Sequence, residues 1–253
     1  MKVVSNLQQR LGRGTPLWGG WITGPTWLGP EEFARAGYDY VGFDTQHGYL
    51  DDADVAGLLR RLEGVPIATV VRLPNADPAP IGRVLDAGAD AVIIAMIESA
   101  EQAAAAVAAT RYPPAGVRSY GPLRASLGTD PAELQSRAGV YAMVETAAAL
   151  STIDDICAVD GLAGIYVGPA DLAISLGTGV VGALDHPAVR QAVVGIHRAA
   201  SAASLHTGIH AGAAKAGKAM AQLGFEMITL AAESQALRRG AAEYLNEATA
   251  GTR

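Results

Sequence analysis

The stretch 66–97, PIATVVRLPNADPAPIGRVLDAGADAVIIAMI, contains one complete strand–helix–strand unit. Its two ends are short apolar runs rich in Val and Ile, which are typical of strands buried on both faces of a parallel sheet. The segment 77–87 between them has a helical pattern and is followed by Gly88, a residue suited to the left-handed backbone that ends many helices. This unit therefore predicts parallel strands that are linked by helices.

The same alternation recurs along the chain and predicts eight strands. We place them at 15–23, 38–44, 66–73, 90–97, 140–146, 163–168, 206–211 and 225–230. Helical patterns lie between them, with start signals at Asp51, at Ser99 with Gln102, and at Asp185. Eight such units in 253 residues predict a single (β/α)8 TIM barrel domain spanning 1–253. A doubly wound sheet is the alternative, but the segment after the first strand lacks the G-x-G-x-x-G spacing of a phosphate loop.

The composition excludes several classes of function. The chain is 50% hydrophobic with a net charge of −6, and it has no run of Lys or Arg that would serve a general nucleic-acid binder. Its single cysteine, Cys157, excludes an internal disulfide framework and a multi-cysteine zinc site. No window approaches the roughly 18 apolar residues of a membrane span, and the N-terminus lacks the apolar core of a signal peptide. We expect a soluble cytoplasmic protein without nucleic-acid or membrane partners.

Polar residues close several of the predicted strands, and in a barrel this end carries the chemistry. They are Asp44 with His47, Arg72, Glu145 and Asp171, with Glu98 and His210 as weaker candidates. Each alone has a plain explanation as a helix cap or a solvated loop residue, but together they indicate one face of one barrel. The long connection 111–130 is rich in Pro, Gly and Arg, so we expect it to cover an active site.

Glu145 and Asp171 form a candidate metal site, because two carboxylates with open positions suit a hard divalent ion such as Mg²⁺ or Mn²⁺. The run Gly168-Pro169-Ala170-Asp171 also starts a helix, so Asp171 has a structural explanation as an acid in the first turn. In the same turn, the backbone N–H groups of Ala170 and Asp171 are free to hold a substrate carboxylate.

A proton carrier and a cation complete the candidate site. His47 is the natural proton carrier, since histidine titrates nearest to neutrality. Asp86, near the end of the segment 77–87, is a candidate to orient His47, with a surface acid as the alternative. Arg72 follows an apolar run and needs an anionic partner, either a bound enolate or carboxylate or a structural salt bridge. No lysine ends a strand, which excludes Schiff-base aldol chemistry.

Five segments, taken in chain order, resemble the HpcH/HpaI aldolases, which are class II, metal-dependent pyruvate aldolases typified by 4-hydroxy-2-oxoheptanedioate aldolase. They are VGFDTQHG (41–48), TVVRLPNADP (69–78), ATRYPPAGVRSYG (109–121), VET (144–146) and GIYVGPADLAISLG (164–177). The resemblance implies a (β/α)8 barrel that assembles as homo-trimers or homo-hexamers, with the final helix exchanged between subunits.

The resemblance also implies the reaction: reversible cleavage of 4-hydroxy-2-oxo acids to pyruvate, or a related 2-oxo acid, and an aldehyde through a metal-bound enolate. Glu145 and Asp171 would bind the divalent metal, with Mg²⁺ or Mn²⁺ favoured and Co²⁺ or Zn²⁺ as alternatives. Pyruvate would chelate this metal, with its carboxylate held in the turn Gly168–Asp171. His47, activated by Asp86, would act as the base. Arg72 would stabilise the enolate, and Asp44 would orient the water shell of the site.

Two positions depart from the family pattern. Met143 stands where a substrate-binding Gln is frequent, and Gln46 stands where Glu often precedes the catalytic His. The first change removes a hydrogen-bond donor from the pocket and the second removes a charge, while the metal ligands and the base remain. We therefore expect retained aldol chemistry with an altered or less polar acceptor aldehyde.

Three other functions remain open at this point. Oxaloacetate decarboxylation needs only the same enolate chemistry. An acyl-CoA hydroxy-acid lyase would use the same site, but it would be expected to offer more basic contacts to the nucleotide than this acidic chain supplies. The alternative from another class is a non-catalytic barrel that binds a ligand. The set of strand-end residues described above argues against this last reading.

Overall fold

Eight parallel strands close into a barrel in chain order, in a computed structural model that describes residues 7–11 and 13–250. The strands are β1 Leu17–Ile22, β2 Tyr40–Asp44, β3 Ala68–Leu73, β4 Ala91–Ile94, β5 Gly139–Val144, β6 Gly164–Val167, β7 His206–His210 and β8 Met227–Ala232. Strand β8 pairs with β1 to complete the ring. Every predicted strand overlaps an observed one, and the predicted (β/α)8 barrel is confirmed. Strand β4 ends earlier than predicted, ahead of Met96, which has a positive φ of 56°.

Helices cover the outside of the barrel. They are α1 Leu7–Leu11, α2 Leu28–Arg35, α3 Asp52–Arg61, α4 Pro78–Asp86, α5 Ala100–Thr110, α6 Pro131–Arg137, α7 Ala147–Ser151, α8 Ile153–Cys157, α9 Pro169–Ser175, α10 Pro187–Ala202, α11 Ala214–Leu223 and α12 Glu233–Thr249. As predicted, Asp51 caps α3, and Ser99 caps α5 by accepting from the Gln102 amide. Helix α10 is capped by His186 rather than by Asp185. Short 3-10 turns lie at Ala125–Leu127 and Ala183–Asp185.

Large rings fill the interior of the barrel in the space left by glycines on neighbouring strands. A Cβ atom on Gly19 would lie 2.1 Å from the ring of Tyr40, and one on Gly42 would lie 2.2 Å from the ring of Trp21. Helix α1 adds Leu7 and Leu11 to this interior cluster. The large inward rings therefore pack into the space beside inward glycines. Polar side chains lie beyond them, at the carboxyl ends of the strands.

The long connection 111–130 lies at the opposite end of the barrel from the end where we expected it. The amide of Leu123 donates to the Asp86 carbonyl at 2.8 Å, and Nη1 of Arg124 donates to the Ala87 carbonyl at 3.3 Å; both acceptors lie at the end of α4. A helix of the barrel runs back along the outside, so a segment that follows a helix emerges where the strands begin. The expectation that this connection covers the active site of its own chain was wrong.

The last helix packs loosely on the rest of the chain. Helix α12 has no buried residue, and Leu237, Tyr244 and Leu245 are 75%, 77% and 63% exposed. Its first residue, Glu233, holds it to the barrel by accepting hydrogen bonds from the amides of Thr23 and Gly24. In the part of the chain that the structure describes, we find no helix with the length and apolar character to cross a bilayer.

Candidate active site

The carboxylate of Asp44, at the end of β2, organises one side of the site. It is 2% exposed and accepts hydrogen bonds from Trp21 Nε1, from the amides of Gln46 and His47, and from Nε and Nη2 of Arg72. Burial opposes its ionisation, but the hydrogen bonds and the charge of Arg72 outweigh it and hold the pKa of Asp44 below its usual value. Asp44 therefore fixes both the guanidinium and the loop that carries His47.

The anionic partner that Arg72 needs is Asp44 on the neighbouring strand. Strands β2 and β3 pair in a register that sets Asp44 beside Arg72, and the guanidinium lies 5.5 Å from the ring of Trp21. Its Nη1 makes no hydrogen bond with the residues described. The structural salt bridge and the substrate role are thus compatible, because one edge of the guanidinium is bonded and another donor is free.

Glu145 follows β5, and its two carboxylate oxygens differ in their hydrogen bonding. Oε1 accepts from the Met96 amide at 2.9 Å, while Oε2 is buried and makes no hydrogen bond with any described residue. Burial, opposed by the Met96 amide and reinforced by the charge of Asp171, raises the pKa of Glu145 to about 7. A buried polar atom left without a partner in a native protein calls for an explanation, and a ligand is one.

Gly168 permits the close approach of Glu145 to the backbone at the start of α9. A Cβ atom at this position would lie 2.4 Å from Glu145 Oε2 and 2.8 Å from Met143 Cε. Because β5 and β6 are neighbours, α9 begins beside Glu145 and carries Asp171 in its first turn. The carboxylate of Asp171 makes no hydrogen bond with the described residues. The Gly168 cap provides no side chain, so amides of the first turn remain open, as expected for Ala170 and Asp171.

This donor set fits a hard divalent cation. Among the described residues, no group of three or more His, Cys, Asp or Glu could hold a metal. A site of two carboxylates is the kind that Mg²⁺ or Mn²⁺ occupies while keeping several oxygen ligands from water or substrate. A three-ligand zinc site of the catalytic type is absent from the same part of the chain.

The structure does not bring Asp86 to His47 within one chain. His47 lies in the exposed bend after β2, and its ring makes no hydrogen bond with the described residues. Asp86 ends α4 at the other end of the barrel, where its Oδ1 accepts from Arg118 Nη2 at 2.6 Å. The reason is again the direction of the helix, since α4 starts near the end of β3 and carries Asp86 to the start of the next strand. The expected contact between the two side chains is therefore not made in this chain.

Trp21 and His210 lie next to the Asp44 and Arg72 pair. Trp21 bonds Asp44 through Nε1, and its ring lies edge-on to the ring of His210 at 5.3 Å between centroids. The alternation of side chains along a strand could have predicted both positions. Trp21 lies two residues after Gly19 and His210 two residues after Gly208, so each shares the interior face of the barrel with that glycine. Glu98 is held instead in a structural contact with Thr146 Oγ1.

The remaining predicted positions are Gln46, Met143, Pro169 and Ala170. Met143 is buried in the interior cluster, and Oε1 of Gln46 is buried without a hydrogen-bond partner among the described residues. Pro169 and Ala170 line a cavity of about 560 Å³, which also reaches His210.

Comparison with known proteins places the chain in a family. The sequence profile described as HpcH/HpaI aldolase/citrate lyase matches residues 19–239. A hydroxypyruvate/pyruvate aldolase of Rhizorhabdus wittichii is 34% identical over 240 residues, covering 94% of this chain and 96% of the relative. A 4-hydroxy-2-oxo-heptane-1,7-dioate aldolase of Salmonella arizonae is 33% identical over 234 residues, covering 90% of this chain and 88% of the relative.

Solved structures agree with this placement. A HpcH/HpaI aldolase/citrate lyase family protein of Burkholderia cenocepacia J2315 has a TM-score of 0.88 at 33% identity, with 96% of this chain and 98% of the other covered. The citrate synthase SbnG has a TM-score of 0.85 at 28% identity, with 98% and 99% covered. The chain therefore belongs to the HpcH/HpaI aldolase/citrate lyase family and is a carbon–carbon lyase of the aldolase type.

Proposed function

We propose that this chain is a divalent-metal-dependent aldolase that reversibly cleaves 4-hydroxy-2-oxo acids to pyruvate, or a related 2-oxo acid, and an aldehyde. The observation that carries the proposal is the buried Oε2 of Glu145, which has no hydrogen-bond partner among the described residues, together with Asp171, whose charge acts on the same carboxyl group. The names of the relatives, pyruvate and 4-hydroxy-2-oxo acid aldolases, support the same substrate class.

Glu145 and Asp171 are the residues that would hold the divalent ion, with Mg²⁺ or Mn²⁺ favoured. Such a cation polarises the ketone of a bound 2-oxo acid and lowers the free energy of its enolate. Glu145 must be ionised to act as a ligand, so its raised pKa makes cation binding and proton release coupled events.

The chain's own residues bind the donor and move its proton. The open amides of Ala170 and Asp171 bind the carboxylate of the 2-oxo acid at the start of α9. The free Nη1 of Arg72 donates to the enolate oxygen as negative charge develops there, while Asp44 holds the guanidinium in place. His47 removes a proton from the methyl group in synthesis and returns one to that carbon after cleavage.

The test is proton–deuterium exchange of the pyruvate methyl group followed by NMR. We expect exchange with Mg²⁺ or Mn²⁺, none after chelation with EDTA, and loss of exchange in His47→Ala and Arg72→Ala. An aldehyde screen with pyruvate and an assay of oxaloacetate decarboxylation then separate the aldolase from its nearest alternative. Absence of exchange with every divalent metal would contradict the proposal.

Assembly and location form a second part of the proposal. The exposed apolar side chains of α12 support a homo-oligomer in which this helix packs on another subunit, as a trimer or a hexamer. A cytoplasmic location agrees with the one cysteine, Cys157, which is free and buried.

A further inference from the structure

His210 ends β7 on the interior face of the barrel and has no assigned partner. Its ring lies edge-on to Trp21, which is itself bonded to Asp44. Neither ring nitrogen makes a hydrogen bond with the residues described, and neither is among the buried polar atoms that lack partners. The ring nitrogens are therefore both unbonded and reachable from the space above the strands.

The other histidines packed around β7 are bonded, which sets His210 apart. His206, at the start of the same strand, pairs through Nδ1 with Glu226 Oε1 at 2.9 Å, and His197 Nδ1 bonds Thr207 Oγ1 at 3.1 Å. A half-buried histidine that serves only the structure normally finds such a partner. The accessible nitrogens of His210, at the end of β7, are therefore available to a ligand.

The space that His210 faces adjoins the turn assigned to the donor carboxylate. The cavity of about 560 Å³ runs between α9, α10 and α11, and its walls include His210 together with Pro169 and Ala170 of the turn assigned to the donor carboxylate. Beyond His210 the walls combine small apolar side chains, Ala211, Ala216 and Ala219, with the charged side chains of Asp185, Arg190 and Lys215. A molecule in this cavity would thus lie beside the donor turn at one end and among both apolar and charged side chains at the other.

The protonation state of His210 suits a hydrogen bond to a neutral or developing oxygen. Burial, and then the positive charge of Arg72, lower the pKa of His210 to about 4. The imidazole is therefore neutral near pH 7, and a neutral imidazole offers one N–H donor and one acceptor. Such a group can stabilise an alkoxide without adding a fixed charge beside Arg72.

We propose that His210 is the residue that contacts the acceptor aldehyde, donating a hydrogen bond to its oxygen while the rest of the aldehyde occupies the adjoining cavity. The inference rests on the proposed function. In synthesis, a bond forms between the enolate carbon and the aldehyde carbon, and the carbonyl π electrons move to the aldehyde oxygen. The proton that neutralises this oxygen is the one that His47 took from the methyl group. His210 gains and loses no net proton, and in cleavage it contacts the 4-hydroxyl oxygen.

The experiment separates the donor step from the step that uses the aldehyde. Methyl exchange needs pyruvate alone, whereas aldol addition needs pyruvate and an aldehyde. The aldehyde for this test is the one that the wild-type enzyme uses fastest in a screen of unbranched aldehydes. For His210→Leu we expect exchange within about twofold of wild type and a roughly 100-fold lower kcat/KM for addition, the scale of one lost oxyanion donor. His210→Asn keeps a hydrogen-bond donor, so its kcat/KM for aldol addition should be at least about tenfold higher than that of His210→Leu.

The matched control is His206→Asn, which changes a histidine at the other end of β7 and should leave the ratio of addition to exchange unchanged. Equal loss of both reactions in His210→Leu, or loss of neither, would overturn the inference, as would equal rates for the Leu and Asn variants. If wild-type enzyme itself shows no exchange, it is the proposed function that fails.

Discussion

Asp44 shows how much one residue can organise, since a single buried carboxylate accepts hydrogen bonds from an indole, two amides and a guanidinium. In Asp44→Asn, the charge of Arg72 stays buried without its counterion. Breaking a buried pair from one side typically costs about 3–5 kcal/mol. We expect a loss of this size in the free energy of unfolding, measured by urea denaturation, together with loss of methyl exchange.

The control for this variant is Asp77→Asn. Asp77 caps α4 by accepting from the Ala79 amide at 3.0 Å, and asparagine caps a helix about as well. The control should unfold within about 0.5 kcal/mol of wild type. A similarly small change in Asp44→Asn would show that Asp44 is not the counterion of Arg72.

Glu145 yields a prediction about pH. Its pKa is raised from 4.5 to about 7 in the folded protein, so between these values the folded chain holds a proton that the unfolded chain releases. The metal-free fold therefore loses stability as the pH rises through this window. Glu145→Gln has no such charge to bury, and in EDTA its Tm should exceed that of wild type at about pH 8 and approach it at about pH 5.

The same two proteins, wild type and Glu145→Gln, should also differ in their response to metal. Mn²⁺ should raise the Tm of wild-type protein and leave that of Glu145→Gln unchanged, because ligand binding to the folded state stabilises it. If Glu145→Gln had a lower Tm than wild type in EDTA at about pH 8, Glu145 would not be a buried carboxylate whose charge destabilises the metal-free fold.

At the scale of elements, the turn from β6 into α9 depends on the absence of a side chain at Gly168. In Gly168→Ala, the new Cβ would lie 2.4 Å from Glu145 Oε2, so the turn or the carboxylate must shift. We expect weaker Mn²⁺ binding by calorimetry and at least about tenfold slower methyl exchange, since small misplacements of positioned groups are costly. The barrel itself should remain folded by circular dichroism.

Gly57→Ala is the matched control, because Gly57 lies within α3 and its added Cβ would meet nothing within 4 Å. Alanine is the better helix former by about 1 kcal/mol, so this variant should be slightly more stable and equally active. Equal metal affinity in both variants would argue against a metal site at the turn.

At the scale of the whole molecule, α12 is the element that the barrel does not bury. Its exposed Leu237 and Leu245 lead us to expect a homo-oligomer in size-exclusion chromatography with light scattering. The double variant Leu237→Glu/Leu245→Glu should reduce the mass to that of one chain while the barrel stays folded. Val181→Glu, at a side chain that is 97% exposed outside α12, should leave the mass unchanged. A monomeric wild-type protein would contradict this prediction.

The sequence by itself determined the order of strands and helices, the closed barrel, and the end of the barrel at which most candidate site residues lie. These follow from local patterns: runs of Val and Ile, helix caps such as Asp51, and glycines after helices. The candidate metal pair could be predicted for the same reason, since Glu145 and Asp171 follow neighbouring strands in chain order.

Tertiary structure alone decided which side chains are in contact and how these contacts change their pKa values and hydrogen bonding. The partner of Arg72, the pairing of Asp86 with Arg118 rather than His47, and the position of 111–130 depend on distances between residues far apart in the chain. The raised pKa of Glu145 likewise comes from burial and from Asp171, neither of which a one-dimensional pattern contains. Patterns of residue type report local conformation, whereas desolvation and pairing are properties of the packed molecule.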